Sequence, residues 1–97
     1  MNRPTLDELR ARLLERFPDA SVELQDDSHL HAGHAGASGG AGHYTVRIRS
    51  SVFAGARVLA RHRLVYDAVR DWMPDRIHAL VIDAQAPIDP PVSSPSQ

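Results

Sequence analysis

The chain has no cysteine, no lysine and few aromatic residues, which make up 5% of its 97 positions. Without cysteine it cannot build a disulfide scaffold, supply a thiol nucleophile or ligate a metal cluster through its own thiolates. Without lysine, all 11 basic residues are arginine, a bias that carries no functional weight alone. The scarcity of aromatics leaves little surface on which nucleic-acid bases stack. No apolar run approaches the ~20 residues of a membrane-spanning helix, so no membrane partner is expected. The opening Met1-Asn2-Arg3-Pro4-Thr5-Leu6-Asp7-Glu8 turns acidic with no apolar stretch, unlike a secretory signal, and a cytoplasmic location is expected. Nucleophilic chemistry has no Gly-x-Ser-x-Gly elbow, and the glycine-rich segment lacks the Gly-Lys-Ser/Thr of a phosphate loop. A chain this short has little room to enclose a substrate. A single-domain binding or carrier protein is expected, not an enzyme.

What is present is 42% apolar residues, enough for one small core, and a formal charge of −1 that conceals a pattern. Residues 1–30 hold four Arg against seven acids, and residues 67–97 hold two Arg against five acids. Between them Arg47, Arg49, Arg57, Arg61 and Arg63 face no acid, giving a basic centre of +5 between ends of −3 each. Net charge argues against a dedicated nucleic-acid binder, while the centre leaves a local basic face open.

Periodicity divides the chain into five elements. Thr5-Leu6-Asp7-Glu8 spells a capping box, and Leu6, Leu9, Leu13 and Phe17 recur at helical spacing, predicting a helix over 5–17 that Pro18 stops. Residues 20–26 alternate, with Val22 and Leu24 on one side. Residues 43–50 alternate more clearly, with Tyr44, Val46 and Ile48 opposed to His43, Thr45, Arg47 and Arg49. The connection between these strands carries His29, His31 and His34 and five of the six glycines, far more than a tight hairpin needs. After a turn at Phe53-Ala54-Gly55, a second helix is predicted over 58–72, with Val58, Leu59, Val65, Val69, Trp72 and Met73 inward and His62 on or beside that stripe. Ile77-His78-Ala79-Leu80-Val81-Ile82-Asp83 reads as a third strand, and residues 85–97, rich in proline and serine, as a disordered tail. The order predicts an α+β domain over residues 1–84, α-β-β-α-β. An antiparallel hairpin and a right-handed crossover make a three-stranded mixed sheet with both helices on one face.

Chemistry concentrates on histidine and arginine. Imidazole is a good ligand for zinc, copper or iron. His29, His31 and His34 have ligand-like spacing, but a glycine-rich loop loses ordering entropy when it binds, which disfavours a self-contained zinc site. His78, at the start of an apolar strand, reads equally as a ligand or as a structural residue. His62 reads as structural. Arg57, Arg61 and Arg63 are candidate phosphate contacts, set against the plainer reading of a solvated helix face.

Phe53, Gly55, Val58 and the run Arg61-His62-Arg63-Leu64-Val65-Tyr66, followed by Ile77-His78-Ala79-Leu80, resemble the signature of the BolA family. Asp27-Ser28, His31, His43 and Ser50-Ser51 add to the resemblance, which covers about residues 5 to 84. It implies a fold similar to the class II KH domain. Gly33-His34-Ala35-Gly36 spells the KH backbone clamp, but between strands instead of between helices. It further implies a partner of monothiol glutaredoxins in iron–sulfur cluster trafficking and iron regulation. A [2Fe-2S] cluster would be shared with glutaredoxin cysteine and glutathione, this chain adding His78 and His31, with His34 as the alternative to His31. Histidine ligation would raise the cluster potential and make it proton-sensitive, as in Rieske centres. The alternative implied role is a DNA-binding transcriptional regulator of morphology and stress response working through Arg57, Arg61 and Arg63. The resemblance leaves a homodimer open.

Overall fold

The computed structural model describes residues 3–28 and 42–87. Its elements are α1 (Leu6–Arg16), β1 (Ser21–Asp26), β2 (Gly42–Arg49), α2 (Val58–Ala68) and β3 (Ile77–Gln85), with 3-10 turns at Ser51–Phe53 and Arg70–Trp72. This is the predicted α-β-β-α-β order.

Helix α1 begins where the sequence says it should. The Glu8 N–H donates to Thr5 Oγ1 at 3.0 Å and the Thr5 N–H donates to Glu8 Oε1 at 2.8 Å, completing the capping box. Leu9 and Leu13, one turn apart, are fully buried beneath it.

The sheet order is β1-β2-β3. β1 pairs antiparallel with β2, from Ser21 opposite Arg49 to Asp26 opposite Tyr44. β3 pairs parallel with β2, from Tyr44 beside Leu80 to Arg49 beside Gln85. Tyr44, Val46 and Ile48 of β2 join Leu9, Leu13, Phe53, Val65, Val69 and Ile77 in a single core on the helical side. The other face is open, and Arg47, Arg49 and Val81 stand exposed there.

At Gly42 a side chain is excluded by its neighbour. A Cβ would lie 2.4 Å from the Tyr44 ring, whose hydroxyl donates to the Pro4 carbonyl and so pins the segment before α1 onto β2. Burial pushes the Tyr44 phenol up to about 12, with the Asp26 carboxylate adding to the effect. Gly55, at φ 77°, occupies the left-handed region in the turn before α2.

Three expectations need correction. Val58 and Leu59 do not belong to the inner stripe of α2: they are 68% and 61% exposed. Residues 57–60 are exposed, and burial on this helix begins with half-buried Arg61, whose guanidinium reaches the Ala84 carbonyl near the end of β3. The regular helix also stops at Ala68, and the 3-10 turn carries Trp72 into the core. Lastly, the third strand runs through Gln85, which pairs with Arg49, and Ala86 is buried, so ordered structure passes beyond residue 84.

A candidate histidine site at the head of the sheet

β1 leaves the sheet, and β2 and β3 begin, at one end of the molecule. The β1 exit is tightly bonded. Asp26 Oδ1 accepts from the Ser28 N–H at 2.9 Å, making a short Asx turn. Asp27 accepts from Thr45 Oγ1 and from Gln25 Nε2, each at 2.6 Å. The Asp27 N–H donates to the His43 carbonyl at 2.7 Å, and the His43 N–H donates to Ser28 Oγ at 3.1 Å. The backbone of His43 is thus held on both sides by the two residues that close β1.

Across the sheet the register slips. Gly42 lies beside Ile77 while His43 lies beside Ala79, so β3 carries one extra residue, His78, at the shift. The His78 side chain is exposed, and its ring centroid is 5.2 Å from that of His43, with the planes tilted by 52°. His43 itself is 7% exposed, and both of its ring nitrogens are enclosed. The alternation places His43 on the polar side of β2. At the strand's end that position is covered, not solvated.

The pairing of His43 with His78 carries no signal in sequence spacing, because it depends on the parallel register and its bulge. His31 and His34, the other ligand candidates, lie outside the described residues, as does Gly33-His34-Ala35-Gly36. Among the described residues no group of three or more His, Asp or Glu side chains is gathered to hold a metal ion.

Of the arginine candidates, Arg61 reaches the other end of β3. Arg57 and Arg63 are exposed. Arg61 is half-buried, and its guanidinium donates to the Ala56 carbonyl at 2.8 Å and to the Ala84 carbonyl at 3.1 Å. Tyr66 donates to the Leu80 carbonyl at 3.1 Å. Two side chains of α2 thus bond β3 carbonyls. His62, as expected, sits half-buried on the helix.

Two further anchors escaped sequence reading. Arg12 donates through both terminal nitrogens to Asp71, and its guanidinium lies 4.0 Å from the Trp72 ring centre, joining α1 to the corner after α2. That contact holds the Asp71 carboxyl below its ordinary value. Asp19 accepts from the hydroxyls of Ser50 and Ser51 and from the Ser51 N–H, and these bonds lower its carboxyl to about 2.

The family model described as "BolA-like protein" matches residues 13–89. The chain belongs to the BolA-like family. Among similar BolA-like sequences, SufE-like protein 1 of Arabidopsis thaliana is 37% identical over 86 residues, covering 84% of this chain and 23% of the relative. BolA-like protein 1 of Mus musculus is 37% identical over 79 residues, covering 81% of this chain and 56% of the relative. The chain thus spans about a quarter of the first and just over half of the second. Of solved structures, the BolA domain of SufE1 from Arabidopsis thaliana matches with a TM-score of 0.70 at 36% identity, covering 81% of this chain and 87% of that one. BolA1 from the same plant matches with a TM-score of 0.71 at 29% identity, covering 88% and 94%. The α+β fold expected from the element order is the fold of these BolA structures. Among the described residues no helix is long and apolar enough to cross a membrane.

Proposed function

We propose that this BolA-like chain acts as a non-enzymatic partner of a monothiol glutaredoxin in iron–sulfur cluster assembly, trafficking and iron regulation, giving His78 to a shared [2Fe-2S] cluster. The observation that carries the reading is the exposed His78 imidazole at the β3 bulge, at the end of the sheet where β1 exits. The second ligand in this reading is His31. His34 is its alternative. The partner supplies the sulfur that a chain without cysteine cannot. Bound there, such a cluster would supply one-electron chemistry and a transferable iron–sulfur unit, with imidazole ligation raising its potential. A cytoplasmic location goes with this reading, although two plant relatives carry chloroplastic in their names.

The test is co-purification with a monothiol glutaredoxin and the visible spectrum of the complex. His78→Ala is expected to shift or abolish the cluster features while the apo chain stays folded. An unchanged spectrum with an unchanged complex refutes the ligand assignment.

The DNA-binding reading keeps exposed Arg57 and Arg63 and loses much of Arg61, whose guanidinium bonds within the fold. Its test is affinity against salt: phosphate contacts give a steep slope that Arg57→Ala with Arg63→Ala reduces by about 2.

A further inference from the structure

A ligand on a side chain with two free torsions must be ordered before it binds, and proteins commonly reduce that cost with a supporting contact. His78 is exposed and sits on the residue that the bulge inserts, where the ladder alone does not fix its direction. The support at hand is His43. Its backbone is tied on one side by the Asp27 N–H and on the other by Ser28 Oγ, and its ring nitrogens are enclosed. Its ring meets that of His78 at 5.2 Å and 52°, within the range of tilted aromatic pairs. The two histidines are therefore unequal: one is fixed and covered, the other outward and able to reach a partner.

We propose that His43 is a positioning residue for His78, a buried aromatic platform that holds the exposed imidazole in the direction from which it meets a shared iron centre. The inference rests on the ligand reading of His78, and it predicts something that reading does not: the His78 ring is already directed in the metal-free chain. It also assigns His43 a role that differs from that of a second ligand, since its nitrogens do not face the surface.

The test uses the full chain without metal. Side-chain couplings of His78 are measured by NMR in the wild type, His43→Phe and His43→Ala, with unfolding midpoints recorded alongside. The expected result is one dominant χ1 rotamer of His78 in the wild type and in His43→Phe, which keeps a ring without its nitrogens, and averaged couplings in His43→Ala. Averaged couplings in the wild type, or a single rotamer that survives in His43→Ala, overturn the proposal. If His43→Ala does not fold, His43→Leu takes its place, filling the space without an aromatic face. The same variants are then loaded with a [2Fe-2S] cluster in complex with a monothiol glutaredoxin. His43→Phe is expected to keep the visible circular dichroism of the wild type and His43→Ala or His43→Leu to change it. Rotamers that respond as expected, beside a spectrum indifferent to His78→Ala, support the platform and refute the ligand reading. The two failures are therefore distinguishable.

Discussion

Arg61 offers the sharpest test of how this fold uses its basic centre. Its guanidinium donates to the Ala56 carbonyl, in the turn before α2, and to the Ala84 carbonyl, near the end of β3. A hydrogen bond from a charged donor contributes roughly 1.5–3 kcal/mol. Arg61 is half-buried rather than enclosed, so the low end applies, and part of the loss in Arg61→Ala is recovered by water at the exposed carbonyls. We expect Arg61→Ala to cost about 2 kcal/mol, and Arg61→Lys, whose ammonium lacks the guanidinium fork, about half of that. For a domain of this size about 2 kcal/mol corresponds to a fall in melting temperature of roughly 8–16 °C. Exposed Arg63 provides the control, since its replacement by Ala stays within about 0.5 kcal/mol. The guanidinium is charged throughout the accessible range, so the cost should be equal at about pH 5 and about pH 8. Because the acceptors are carbonyls and not carboxylates, most of the cost should persist in about 1 M salt. The assay is thermal and chemical unfolding of the three variants, followed by circular dichroism. Coincident midpoints for Arg61→Ala and Arg63→Ala would refute the reasoning and return Arg61 to the candidate phosphate contacts.

Other perturbations probe the remaining anchors. Asp19, whose carboxyl is lowered from 3.8 to about 2 by the Ser50 and Ser51 hydroxyls, stabilises the fold fully above its unfolded value. That contribution is lost as pH falls from 3.8 through about 2, so Asp19→Asn should flatten the acid limb of a denaturation midpoint measured against pH, and an unchanged limb counts against the clamp. Gly42→Ala drives a Cβ to 2.4 Å from the Tyr44 ring, which the hydroxyl's bond to Pro4 keeps from swinging aside. It should cost about 1–3 kcal/mol in urea unfolding, and a neutral substitution would show that the ring moves freely.

How far the sequence could be read depends on which interactions repeat locally. The capping box at Thr5 and Glu8, the alternation of Tyr44, Val46 and Ile48, and the crossover through α2 are set within a few residues, and each is found where the pattern puts it. Val58 and Leu59 fit the apolar pattern of a helix, yet stand exposed, because periodicity describes a face and says nothing of what covers it. The His43–His78 contact depends on a bulge between strands 35 residues apart in sequence. The Arg12–Asp71 and Asp19–Ser50 bonds likewise cross between distant elements. His78 was legible as a candidate from the family motif. The ring packed against it was not.

β3 also explains why the two functional readings need not compete. Six residues separate His78 from Ala84, about 20 Å of extended chain. At one end an imidazole is set outward on a bulge, against a fixed ring. At the other, α2 begins with an exposed Val58 and Leu59 beside Arg57, while Arg61 bonds the strand's carbonyl. Substitutions this far apart with no shared partner have nearly additive effects. Arginine variants therefore leave the histidine end intact, and loss of cluster features in a His78 variant cannot be ascribed to the basic segment. The strand joins the two ends mechanically and keeps them chemically apart, so a partner that engages imidazole and a partner that engages guanidinium can be assayed on the same folded chain.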